Sequence, residues 1–227
     1  MKELNLTLYE FFGYLLPGAI AAVAMLILFY LTALSGNQVY IPDVTKTVVG
    51  IALVVAYYSG HIVQAIGNIA YKKVYHPEQE VLCVSKGPLP ANLIVAVKIR
   101  LMAIYSLDDN DLVPALIYRL CDEYVVQNGN VGDRDIFQYR EGFYRGLSIS
   151  CMLTSVVSFM MLLARPIKIV WFTYCEAIVT KGMFAFLAIT SLIGAALFYN
   201  RYKRFCTYKV VQAVTSFIVI CNKKQTA

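Results

Sequence analysis

Charge is scarce in this chain. Asp, Glu, Lys and Arg make up 15% of its 227 residues against 59% hydrophobic ones, and all four are missing from the runs 14–34, 47–67, 146–164 and 182–199. A soluble domain of this length has too little remaining material to cover four such runs, so the soluble globular class is set aside first. Residues that carry chemistry are equally few. There are two histidines, His61 and His76, and six cysteines, none of which forms a C-x-x-C or a Cys/His pair at metal spacing. His76 with Glu78 and Glu80 comes nearest to a metal set, and it lacks further ligands. No G-x-S-x-G, H-E-x-x-H, phosphate-cradling glycine loop or intramembrane Asp pair occurs. These absences leave no nucleophile and no metal centre to argue from. The chain is read as a non-enzyme, with no catalytic residue, no cofactor and no metal.

What is present is length without charge. A helix needs about 20 apolar residues to cross the hydrocarbon, and only structures that satisfy their own backbone groups can do so. The four runs are therefore expected to be transmembrane helices. The first is too long for the apolar part of a cleavable signal and follows a single lysine, Lys2, offset by Glu3 and Glu10, so it is expected to stay in the protein. Pro17, bracketed by Gly13 and Gly18, marks either a bend after a surface-lying segment or a kink in one continuous helix.

Lysine and arginine concentrate between runs two and three (Lys72, Lys73, Lys98, Arg100, Arg140 and Arg145 among them) and after run four (Arg201, Lys203, Arg204, Lys209). By the positive-inside rule both termini and the middle region face the cytoplasm. That placement accounts for most of the net charge of +6 through anionic headgroups, so membrane lipid is the expected partner and nucleic acid is not. The connection 35–46 reads as a polar turn with Asp43 or Thr45 capping run two, and the connection 165–181 as a surface-lying stretch with Trp171, Phe172 and Tyr174 at the lipid boundary.

The expected fold is an all-α membrane protein with four transmembrane helices, a small helical cytoplasmic domain between helices 2 and 3, and a C-terminal cytoplasmic amphipathic segment. The divisions are 1–69 (N-terminal segment and helices 1 and 2), 70–145 (cytoplasmic domain), 146–200 (helices 3 and 4) and 201–227 (tail). In the middle region one helix is expected after Pro90. Another begins beyond an aspartate cap and Pro114, with Leu116, Leu120 and Tyr124 facing inward. A third starts near Asp133 and continues into run three. In the tail Val210, Val211, Val214, Phe217, Ile218 and Cys221 share one helical stripe, although the β-branched content also suits strands.

The second run is unusual in ending on polar groups, "GHIVQAIGN". At 100° per residue Ala52, Ala56, Gly60, Gln64 and Gly67 form a helix-packing stripe that admits a close neighbour, with His61 and Asn68 on its flank. With run two entering the cytoplasmic leaflet there, Glu10, Tyr14, His61, Gln64, Asn68, Arg140 and Arg145 are expected to converge as a polar intramembrane cluster. Two readings fit. Either the groups satisfy one another and lock the bundle, or they line an inward-facing cavity or pore mouth with Glu10 and His61 as a titrating pair.

Through "LYEFFGYLLPG", "GHIVQAIGN" and "YREGFYRG" the chain resembles a loose group of uncharacterised bacterial polytopic inner-membrane proteins with an N-terminal YxFxGYxxPG and a GHxxQxxGN motif. The resemblance implies a multi-pass bacterial inner-membrane protein but carries no activity. Small bacterial membrane proteins of this layout serve in some cases as the membrane subunit of anti-phage defence systems, beside a soluble partner. The expectation is an oligomeric scaffold that anchors or signals to a cytoplasmic protein, with an ion channel or pore as the alternative and a membrane-embedded enzyme third.

Overall fold

A computed structural model of the chain describes residues 11–33, 38–41, 45–83, 87–128, 132–163, 167–171, 175–179 and 181–226. Helix dominates. A π-helical turn at Phe11–Leu15 leads into α1 (Leu16–Ala33), followed by α2 (Lys46–Val74), α3 (Pro77–Val81), α4 (Ala91–Tyr105), α5 (Pro114–Asn128), α6 (Gly132–Leu163) and α7 (Lys181–Thr226). Among the described residues three helices are long and apolar enough to cross a membrane: α2, α6 and α7. A shorter apolar helix spans Gly13–Phe29. At about 1.5 Å per residue, the 46 residues of α7 would reach about 70 Å, more than twice a hydrocarbon core of about 30 Å, so only part of it can lie in lipid.

The chain divides into two compact units. The first holds Met1–Ala70 and Gly142–Arg201, the second Tyr71–Glu141 and Tyr202–Ala227. The tail set apart by sequence as 201–227 is thus the end of one uninterrupted helix, and it is gathered with residues 71–141.

In the first unit the usual arrangement of side chains is inverted. Large apolar residues point outward: Leu26, Phe29, Ile51, Val54, Ile62, Phe159, Phe186 and Leu192 are all more than half exposed. Inside lie small and hydroxyl-bearing residues, Ala21, Ala24, Ala56, Ala188, Ala195, Ser148, Ser150 and Ser158, around one apolar cluster of Ala24, Val157, Met161 and Phe184. Water would penalise such a surface and hydrocarbon does not. Thr45 begins α2 by accepting a hydrogen bond from the Val48 amide at 3.3 Å, whereas Asp43 lies outside the described residues.

Three short strands form a sheet where no strand was expected. β1 (Gln38–Ile41) pairs in parallel with β2 (Ile167–Trp171), which pairs antiparallel with β3 (Cys175–Val179), with Gln38 opposite Lys168 and Ile167 opposite Val179. The connection 35–46, expected as a polar turn, holds β1, and the connection 165–181 holds β2 and β3. "QVYI", "IKIVW" and "CEAIV" are rich in β-branched and aromatic residues, which favour pleated backbone.

The second unit has a core of its own. Val81, Leu89, Ile94, Val97, Leu101, Ile117, Cys121 and Val125 close around Val210, Val214, Phe217 and Cys221 of α7. The tail is therefore helix, and its predicted stripe faces inward, with Val211 and Ile218 partly covered at its edge. The inward line of α5 is one residue on from the expected one. Ile117, Cys121 and Val125 are buried, while Leu120 and Tyr124 lie beside them, Tyr124 edge-on to Phe217 at 5.1 Å. The aspartates do not cap α5. They build a 3-10 turn at Asp109–Asp111, and Asp109 pairs with Lys98 at 3.1 Å. The helix expected to start near Asp133 runs without a break from Gly132 to Leu163.

Candidate functional site

Helical structure passes through Pro17 without interruption. A proline has no amide hydrogen, so the Gly13 carbonyl four residues earlier loses its α-helical donor. The vacancy falls in the π-helical turn and is filled from another helix. The Gln64 side chain of α2 donates from Nε2 to the Gly13 carbonyl at 2.7 Å and to the Gly142 carbonyl of α6 at 2.8 Å. Its Oε1 accepts from Arg145, at 3.2 Å from Nε and 3.0 Å from Nη2. A buried amide, 5% exposed, thus uses both its hydrogens and its oxygen to join three helices.

Glycine makes that approach possible. A Cβ on Gly18 would collide with the Ala56 carbonyl and the Gly60 amide, and one on Gly60 with the Tyr14 carbonyl, so the α1 and α2 backbones touch. Gly146 lies against Gln64 and Pro17, and a Cβ on Gly67 would come within 2.8 Å of the Arg145 stem. Of the predicted packing residues, Ala56, Gly60 and Gly67 are buried at this crossing. Ala52 is not: it is exposed, and Gly50 beside it faces open space. Helices that meet at one tight crossing diverge on either side of it, which leaves Ala52 uncovered. Hydroxyls extend the ties. Ser150 donates to the Pro17 carbonyl at 2.7 Å, and Ser148 and Ser155 donate to the Ala195 and Ala188 carbonyls of α7 at 2.8 and 2.9 Å.

The predicted polar cluster is brought together in part. Tyr14, Gln64 and Arg145 meet at or beside the crossing, and the His61 ring stacks on Tyr14 at 4.3 Å and meets Tyr57 edge-on at 4.6 Å. His61 is exposed, and Asn68 is half-buried one turn beyond Gln64. Glu10 lies outside the described residues. Arg140 belongs to the second unit, where its guanidinium lies 5.5 Å over the Phe205 ring. Tyr57, Pro17, Gly18, Gly142, Gly146 and Ser150 were not singled out as site residues, although the four-residue spacing of Gly142, Gly146 and Ser150 is a legible small-residue face.

In the second unit, Lys209 and Glu141 form a largely buried ion pair at 2.6 Å. Burial pulls the ammonium pKa down, and the Glu141 carboxylate outweighs it, leaving the pKa above its ordinary value. Burial pushes the Cys121 thiol up to about 12, with Cys221 and Asp122 adding to the effect. Tyr75 hydrogen-bonds Thr207 at 2.8 Å, and Lys203 lies 4.8 Å over its ring. Among the described residues no three His, Cys, Asp or Glu side chains gather into a metal-holding group.

The chain matches no family model, no curated protein and no solved structure.

Proposed function

We propose that this chain is a non-enzymatic, self-associating bacterial inner-membrane protein of four spans that holds, or signals to, a cytoplasmic protein through its second unit. The observation that carries the reading is that unit's independent helical core, assembled from residues on either side of two apolar helices. Such a core is more than a membrane anchor needs. Its surface leaves Val95, Ile99, Val113 and Val126 exposed, which is where a partner would gain apolar contact.

The four-span topology has separate support. The pairing of β1 with β2 lays the connection after α1 beside the connection after α6, as expected when both emerge on one face of the membrane. The basic residues then belong to the opposite, cytoplasmic face. Self-association draws on the exposed ring patch of Tyr57 and His61 and on the uncovered apolar faces of α2 and α7. The crossing at Gln64 favours a lock over a pore mouth, because backbones in contact and a saturated amide fill the space a conduit would need. The role in anti-phage defence rests on the resemblance alone.

The test is purification from its own host in mild detergent. A particle containing more than one copy and a stoichiometric soluble protein is expected, and a monomer that never carries a partner would contradict the reading.

A further inference from the structure

In the first unit α1, α6 and α7 part to leave an open groove of about 360 Å³. Ala24, Val157, Met161 and Phe184 are its buried floor, and Val23 of α1 and Leu187 of α7, both exposed, mark its open edge. Only two of its lining residues, Thr154 and Ser158, carry a polar side chain. Thr154 spends its hydroxyl hydrogen on the Ser150 carbonyl at 2.9 Å. Ser158 is 2% exposed, and unlike Ser148, Ser150 and Ser155 it has no hydrogen-bond partner among the described residues. A buried hydroxyl in that state calls for a partner from outside the chain. Because Ser148 and Ser155 reach the Ala195 and Ala188 carbonyls, α6 and α7 run antiparallel and Ser158 falls level with Ala185. Four residues from Ala185, about 6 Å of helix rise, α7 begins at the exposed Lys181, where its ammonium and the free amides of the first turn favour an anion.

Size selects the occupant. Along α1 the groove runs from Ala19 to Ile27, about 12 Å of rise, so its volume corresponds to a mean section of about 30 Å². A helix about 10 Å across needs about 80 Å², so a helix of a second copy cannot enter, whereas one alkyl chain fits. An alkyl chain alone would leave Ser158 without a partner. A glycerophospholipid supplies the chain, an ester carbonyl to accept from the Ser158 hydroxyl and, a short glycerol away, a phosphate for the start of α7.

We propose that this groove binds one phospholipid, with an acyl chain laid along α6 between α1 and α7 and the phosphate at Lys181. The site goes beyond the function proposed above and needs only that these helices lie in a membrane, so the presence or absence of a cytoplasmic partner does not bear on it. The experiment is native mass spectrometry of the whole protein, stripped of lipid in detergent and then given phosphatidylglycerol or, separately, a long-chain alcohol that offers the chain without the phosphate. One phosphatidylglycerol per copy is expected to stay bound, about tenfold tighter or better than the alcohol. Val23→Trp, which hangs an indole over the open edge, should abolish retention, and Leu192→Trp, at an equally exposed position of α7 outside the groove, should leave it intact. Ser158→Ala should weaken retention severalfold, Lys181→Gln should erase most of the preference over the alcohol, and Lys181→Arg should keep it.

No retained phospholipid, equal retention of the alcohol, or retention indifferent to Val23→Trp would overturn the proposal, as would a loss of the same size with Leu192→Trp. If the protein isolated from its host instead carries an isoprenoid quinone that Val23→Trp removes, the groove belongs to that class of ligand and the phospholipid assignment fails. If Val23→Trp separates copies of the chain rather than releasing lipid, the groove is a contact between copies and the assignment fails likewise.

Discussion

Replacing Gln64 by leucine keeps the volume and removes the hydrogen bonds that Gln64 makes at the crossing. The Gly13 carbonyl, which Pro17 cannot serve, loses its donor, and Arg145 loses an acceptor it contacts twice. The expected cost is about 1–3 kcal/mol, read as a lower thermal midpoint in detergent, and a variant as stable as the parent would contradict the lock. Ser106 offers the opposite effect. It ends α4 with φ of 54°, a left-handed conformation that costs an L-residue about 1–2 kcal/mol, so Ser106→Gly should stabilise the second unit. Cys121, with its pKa pushed up to about 12, should resist maleimide at pH 8 until the unit unfolds. Its folded pKa lies above the unfolded value, so its contribution to stability is complete below the ordinary thiol range and is lost as pH rises through that range toward 12. At this scale the sequence was informative about residue type: an amide, an imidazole and glycines in an apolar run imply an interior face. Their partners were not legible, because the acceptor Gln64 serves is created by a proline 47 positions away.

The elements were legible where periodicity is long. Run two and run three became α2 and α6, and the stripe Val210, Val214, Phe217 and Cys221 became the buried face of a helix. The helix runs on past the division drawn at 201, because nothing in "FYNRYKRFCTYK" stops a helix: it contains neither proline nor glycine. Strands were missed for the opposite reason. β1 and β2 are four and five residues long and pair 130 positions apart, Gln38 with Lys168, so no local signal links them, whereas β2 and β3 are three residues apart and their β-branched content was a local signal left unread. The tail's place in the core makes a quantitative prediction. Phe217→Ala should destabilise the second unit by about 3–5 kcal/mol, seen as proteolysis of residues 71–141 under conditions that leave the wild type intact. Unchanged resistance would mean that the tail is not part of that core.

At the scale of the molecule, composition alone placed the chain in the membrane class, because 59% hydrophobic residues with 15% charged ones leave an outer surface only lipid can accept. The exposed Leu, Ile and Phe of the first unit and its buried Ser and Ala bear that out. Orientation is the central claim, since a cytoplasmic partner requires the second unit to be retained inside. It is tested most directly by replacing the six native cysteines, introducing single cysteines at Gln38 and at Asp109, and treating intact cells with a membrane-impermeant maleimide. Gln38→Cys should be labelled in whole cells and Asp109→Cys only after lysis, whereas labelling of Asp109→Cys from outside would contradict the cytoplasmic placement and the docking function built on it.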